Sequence, residues 1–335
     1  MQPWLFHRPT TRRRFLLASL AATVVAPRIA KAQSSNRPVV GFLNGASAAL
    51  SENYVRPFRR GLEEVGYVEG RNVTIEYRWA DGHYDRLPAL ATDLVRRGVN
   101  VIAATSTPTG LPAKRATTTI PIVFVTGSDP VEQGLVASFN RPGGNLTGAT
   151  TLAVGLGQKR MELIHASLPK VATIALLVNP SGPNLTSVMR EAQAAARALG
   201  VTLHVLHASA VGEVEPAVAS VRKVPADALV IGTDTFFNSQ SARLAELTVR
   251  HAVPATYQYR EFAAAGGLMS YGGSITDAYH VAGVYTGRVL NGEKPADLPV
   301  QQSRKAELYV DVKTAKALGV TIPQSLLLRA DEIIQ

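Results

Sequence analysis

The 335-residue chain contains no cysteine. It therefore has no disulfide, no thiol nucleophile, no thiolate metal ligand and no cysteine to carry a lipid anchor. Aromatics make up 6% of residues, with two tryptophans, so the places where they gather carry weight. No apolar run reaches the roughly 20 residues that a membrane-spanning helix needs. Catalytic signatures are missing as well: there is no G-x-S-x-G elbow, no P-loop and no GxGxxG, and GLGQKR at 155–160 lacks the third glycine. His204 and His207 lie three apart in a predicted strand and so point to opposite faces. His83, His165, His251 and His280 have no acids clustered with them. Neither a metal nor a cofactor is expected, and the reading is of a protein that is not an enzyme. An exported hydrolase stays open as an alternative, because a fold does not dictate chemistry.

Charge is lacking in one respect too. The net charge is +10, but Arg8, Arg12, Arg13, Arg14, Arg28 and Lys31 sit within the first 32 residues without an acid; subtracting these six leaves +4. The remaining charges are mixed in sign, with no basic run, so the concentrated basic face that nucleic acid requires is missing.

What is present begins with a leader. MQPWLFHRPTTRRRFLLASLAATVVAPRIAKA has a basic head, an apolar stretch at 15–26, and small residues at Ala30 and Ala32. That is the plan of a secretory signal peptide over residues 1–32, with cleavage expected after Ala32. Thr11-Arg12-Arg13-Arg14-Phe15-Leu16 resembles the twin-arginine export motif; an ordinary Sec signal is the alternative. The mature chain is expected to be a soluble monomer in the periplasm of a Gram-negative cell.

Beyond the leader, short apolar runs alternate with amphipathic stretches, the pattern of parallel α/β units. VVGFL (39–43), VTIEY (73–77), VIAAT (101–105) and PIVFV (121–125) read as strands, followed by helices near 51–66, 84–97, 109–118 and 131–138. After the turn-rich NRPGGNLTG (140–148) the pattern restarts with IALLV (174–178), VTLHVL (201–206), ALVIG (228–232) and PATYQY (254–259). The two series align at an offset of about 130 residues, too long for a solenoid repeat. The expected architecture is α/β, two doubly wound parallel-sheet lobes whose strand ends face one cleft, where ligands of open α/β sheets bind.

The mature chain resembles the periplasmic substrate-binding proteins of ABC transporters, in the group associated with tryptophan and tyrosine. The resemblance is carried by GLEEVGYVEGRNVTIEYRWADGHYDRLPALA (61–91), TTTIPIVFVTGSDPVEQGLVASFNRPGGNLTG (117–148), REFAAAGGLMSYG (260–272) and KTAKALGVTIP (313–323). It implies a type I periplasmic-binding-protein fold with a three-segment hinge that closes around a small ligand, and transient docking on an ABC permease. The expected N-terminal lobe is 37–142 plus about 273–298, and the C-terminal lobe 146–270 plus about 303–335. The hinge is expected at 140–148, 265–273 and near 297–304, with Gly143-Gly144 and Gly266-Gly267 supplying backbone freedom.

Candidate ligand contacts are the polar residues at strand ends. Asn44 follows VGFL, Ser106 and Thr107 follow VIAAT, and Thr126 and Asp129 follow IVFV. In the second series, Asn179 follows IALLV, Thr233 and Asp234 follow ALVIG, and Asn238 lies close by. Helix capping explains Ser, Thr and Asp here equally well, but a helix N-terminus with hydroxyls beside it also receives a carboxylate. Asp129 and Asp234 are the carboxylates best placed by pattern to pair with an ammonium. Tyr257 belongs to an aromatic group near the second-lobe strand ends, with Phe236, Phe237, Tyr259 and Tyr271, and stands at the same strand phase as Tyr259. An amino acid is the expected ligand; a sugar, nucleoside or small carboxylate on the same fold, or a sensory role, remains the alternative.

Overall fold

The computed structural model describes residues 37–335 apart from Pro169, Pro225 and Arg304; the leader and its cleavage site lie outside the described residues. The strands are β1 (Val39–Asn44), β2 (Thr74–Trp79), β3 (Val101–Ala104), β4 (Ile122–Thr126), β5 (Leu146–Thr150), β6 (Thr173–Val178), β7 (Thr202–His207), β8 (Ala228–Ile231), β9 (Ala255–Tyr257), β10 (Met269–Gly272), β11 (Gln301–Gln302), β12 (Glu307–Asp311) and β13 (Glu332–Ile334). They form a six-stranded sheet, order β11-β5-β4-β3-β1-β2, and a seven-stranded sheet, order β13-β12-β10-β9-β8-β6-β7. Every pairing in the first sheet is parallel. In the second, β10 and β12 run antiparallel.

Strand β1 shows why these segments are strands. Val40 and Phe42 pack into one apolar mass and Leu43 into another on the opposite face, all fully buried, as a side-chain period of two demands. Helices cover both faces. Helix Leu185–Leu199 stops at Gly200, which takes φ +69 and lets Val201 bond back to the Ala196 carbonyl. On the first lobe, helices Glu52–Glu64 and Ile275–Leu290 cross at glycine contacts. A Cβ on Gly61 would collide with the His280 carbonyl, and one on Gly283 with the Phe58 carbonyl. Ser274 starts the second of these helices by accepting the Asp277 amide at 3.0 Å.

The segment 131–138, expected as a helix, is a single turn. Asp129 Oδ1 accepts the amides of Val131 (2.7 Å) and Glu132 (3.1 Å), and the chain turns away at Gly134 with φ +69. Lys114 then takes the Gly134 and Leu135 carbonyls that a helix would have used.

The passages between sheets also fall later than the glycine pairs suggest. Residues 146–150 pair fully with β4 and belong to the first sheet. Gly143 (φ +72) and Gly144 (φ +63) only turn the chain into β5. The chain crosses between Thr150 and helix Gly157–Ser167, between β10 and helix Ile275–Leu290, and between β11 and β12. LTGAT, with one apolar residue of any size, has little strand signature, which is why it reads as a linker.

Candidate functional site

Between the carboxyl ends of the two sheets lies a cavity. Its first-lobe wall comes from the loops after β1, β3 and β4 and from the opening turns of helices Glu52–Glu64 and Ile275–Leu290. The second-lobe wall is Thr235, Asn238, Ser239 and Tyr259, and Thr151 closes the side where the chain crosses. Among the described residues no lining side chain bears a formal charge: hydroxyls, two asparagines and three tyrosines dominate, with Ala46, Val125 and Ile275 between them.

The floor is a preformed network. Asn44 Nδ2 donates to the Tyr279 hydroxyl (2.9 Å) and to Thr105 Oγ1 (3.0 Å), while Asn44 Oδ1 accepts the Ala46 amide (2.8 Å). Tyr279 in turn donates to the Thr105 carbonyl. Its ring stacks on Tyr54, centroids 5.3 Å apart at 26°. The Tyr54 hydroxyl has no protein partner among the described residues. Burial raises the pKa of all three cavity tyrosines, that of Tyr259 to about 12, so each presents a protonated hydroxyl at neutral pH.

The polar strand ends are locked in the same way. Ser106 Oγ accepts the Gly45 amide (3.0 Å), and Thr107 Oγ1 accepts the Gly127 amide (3.0 Å). Thr126 donates to Gln133 Oε1 (2.9 Å), and Tyr259 shares a 2.9 Å bond with Thr151 across the crossing. Asn238 Oδ1 accepts from Gln258 (2.5 Å), which leaves the Asn238 amide NH2 without a protein partner among the described residues.

Of the ten residues singled out from the sequence, Asn44, Ser106, Thr107, Thr126 and Asn238 come together around this cavity. The other five do not line it. Asp129 caps the turn described above. Tyr257 is fully buried in the second lobe, stacked on Phe262 (4.9 Å, 17°) and bonded to Thr248. The shared phase with Tyr259 fails because β9 ends at Tyr257, and Tyr259 stands at the start of helix Arg260–Ala264. Thr233 sits behind the wall, accepting from Arg160 Nη2 at 3.0 Å. Asn179 and Asp234 line a separate hollow. There Asp234 Oδ1 accepts three hydrogen bonds: from Tyr84 (2.8 Å), Asn179 Nδ2 (2.9 Å) and the Phe236 amide (2.9 Å). Burial raises the Asp234 pKa above the usual carboxylate value, the three donors acting the other way.

Sequence reasoning passed over Tyr54, Thr105, Thr151 and Tyr279 as site residues, and weighed Tyr259 only within the aromatic group around Tyr257. Tyr54 and Tyr279 stand in the first two turns of helices that follow β1 and β10, at positions where helical periodicity asks only for core. It also passed over Arg160, a guanidinium 2% exposed. Arg160 has no ion pair among the described residues and an unpartnered Nε, and burial lowers its pKa to about 10.

Residues 39–334 match the family described as ABC transporter substrate binding protein. The chain belongs to that family. A tyrosine-binding protein of Clostridioides difficile (strain R20291) is 28% identical over 265 residues, 78% of this chain and 75% of the relative. An ABC domain from Streptococcus pneumoniae, solved in complex with L-Trp, superimposes with a TM-score of 0.77 at 26% identity, covering 89% of this chain and all of that one. A conserved domain protein from Vibrio cholerae gives 0.79 at 26%, covering 89% and 99%. The two sheets and three crossings are thus a type I periplasmic-binding-protein fold. This substrate-binding protein takes up a small ligand outside the cytoplasm and serves a membrane permease. Among the described residues no helix is long and apolar enough to cross a membrane.

Proposed function

We propose that this substrate-binding protein captures an amino acid with an aromatic side chain in the interlobe cavity and delivers it to an ABC importer. The observation that carries the reading is the uncharged lining that still presents three tyrosine rings. A ligand with net charge, enclosed there, would lack a counter-ion, and burial of an unpaired charge is strongly unfavourable. A zwitterion is neutral overall, and hydrogen bonds can answer each of its ends. Ser106 and Thr107, whose hydroxyls accept from backbone amides and keep their protons, are the groups we assign to the carboxylate. The hydroxyls of Tyr259 and Ser239 are the neutral acceptors for the ammonium, and Tyr54 and Tyr279 are the faces for a ring. Each aromatic pair adds about 0.5–1.5 kcal/mol beyond burial. Two relatives are described as binding tyrosine and L-Trp.

Capture is by closure. Contacts made only when both lobes engage bias the hinge toward the closed form, with movement taken up at the three crossings. The leader directs the chain to the periplasm, by the twin-arginine route, where it works as a soluble monomer without cofactor or catalysis. The test is a thermal-shift and calorimetric screen of residues 33–335 with L-tryptophan, L-tyrosine, L-phenylalanine, sugars, nucleosides and dicarboxylates. Ligand at 100 times its Kd stabilises the native state by about 2.7 kcal/mol. Shifts confined to aromatic amino acids support the reading, and shifts confined to sugars, nucleosides or dicarboxylates overturn the ligand class.

A further inference from the structure

We infer that Tyr84 and Asp234 form a clasp between the lobes that sets ligand affinity without touching the ligand. Tyr84 belongs to the first lobe, in the turn after β2; Asp234 and Phe236 belong to the second, at the start of helix Thr235–Ser239. The Tyr84 hydroxyl donates to Asp234 Oδ1 at 2.8 Å and accepts the Phe236 amide at 3.0 Å. It therefore satisfies an acceptor and a helix-end donor of the opposite lobe at once. Both bonds exist only while the lobes are together, and neither involves a group that lines the cavity side by side with a ligand: Tyr84 and Asp234 are outside the lining.

Each half of the clasp is held in position by its own lobe. The Tyr84 ring edge packs where Gly45 has no side chain; a Cβ there would lie 3.0 Å from Tyr84 Cε1 and 2.9 Å from Pro108. Asp234 is fixed by Asn179 at 2.9 Å and by its own cap on Phe236. Closure thus joins two pre-positioned groups, with little side-chain freedom left to lose. An ion pair between the lobes, Glu132 with Arg190 at 2.9 Å, is about half exposed on both sides and contributes little.

A clasp of this kind acts on the closed population. The apparent affinity of every ligand scales with the fraction of protein in the binding-competent state. Loss of the Tyr84 hydroxyl removes a hydrogen bond to a carboxylate, and the closed-to-open ratio falls about 10-fold. Two measurements decide this. Because the chain has no cysteine, Thr92→Cys and Arg197→Cys place one spin label on each lobe with no background. The ligand-free protein should show a closed sub-population that Tyr84→Phe depletes. Calorimetry with L-tryptophan, L-tyrosine and L-phenylalanine should show every Kd that is measurable raised by the same factor of about 10. A ligand-free protein that is open throughout, or a distance distribution that Tyr84→Phe leaves unchanged, overturns the clasp. So does a penalty that differs between ligands, since that marks direct contact. If none of the three amino acids binds the parent protein, the ligand class fails while the distance measurement still judges the clasp. Thermal unfolding of Tyr84→Phe verifies that the variant is folded, and its ring packing on Gly45 is unaltered by the change.

Discussion

Asp234→Asn separates two accounts of the same carboxylate. Placed directly after a predicted strand, Asp234 reads as the partner of a ligand's ammonium; in the structure it is buried outside the cavity with three donors on Oδ1. Its second oxygen faces Gly182 together with the Asn179 carbonyl and Asn184 Oδ1, two further acceptors. Asparagine keeps an oxygen for the three donors and removes the charge. A carboxyl group whose folded-state pKa stands above its unfolded value holds its proton more tightly when folded. Its ionisation therefore costs stability, the cost being absent below the unfolded pKa and present in full above the folded one. Each unit of the upward shift is worth about 1.4 kcal/mol at pH 7. The variant should match or exceed the parent at pH 7, by about 2 °C in Tm per kcal/mol for a chain of this size, with the difference closing toward pH 4. The Kd of the bound amino acid should change less than about 3-fold. Thermal unfolding between pH 4 and 8 with parallel calorimetry reads both quantities. A loss of more than about 2 kcal/mol at pH 7 that vanishes at pH 4 would show that the carboxylate meets a cation. A Kd raised 100-fold in a folded variant would put Asp234 on the ligand.

Three further outcomes are expected. Tyr259→Phe removes the bond to Thr151 and a cavity hydroxyl, so ligand Kd should rise about 5- to 20-fold with Tm nearly unchanged; an unaltered Kd by calorimetry would take Tyr259 out of the site. Gly283→Ala drives a methyl into the Phe58 carbonyl where two helices touch, and urea unfolding should show a loss of about 2–3 kcal/mol or failure to fold; a loss below 0.5 kcal/mol would mean the helices are not so closely apposed. Arg160→Met replaces a buried guanidinium that has no anionic partner among the described residues with an apolar chain of similar length, and the urea midpoint should stay level or rise; a loss above about 3 kcal/mol would reveal an anion at Arg160.

The halves of the fold were legible because each lobe repeats a simple instruction: a short apolar run, a polar residue at its end, an amphipathic helix. Eight strands read from that pattern correspond to β1–β4 and β6–β9. What the pattern hides is any strand whose side chains are small. β5 is LTGAT, and Gly148 lies in register with Phe124 so closely that a Cβ would collide with the Phe124 backbone. Its composition reports the closeness of a neighbour and not the strand itself, so the first crossing was expected too early.

The cavity divides along the same physical line. Ser106, Thr107 and Thr126 were visible because a polar residue directly after an apolar run stands out, whether it caps a helix or meets a ligand. Tyr54 and Tyr279 were not, because an aromatic at a core phase of a helix has an ordinary explanation in every protein. Tyr84 and Asp234 lie 150 residues apart in sequence, and no local pattern joins them. A carboxylate after a strand shows only that a charge must be answered, by ligand, cation or donor. Three donors answer this one from the protein itself, one of them across the cleft. The groups that recognise the ligand can then remain neutral while the energy that holds the lobes together comes from elsewhere. On that division of labour, exchanging cavity side chains should alter which ligand is preferred, and exchanging clasp residues should alter only how tightly all of them are held.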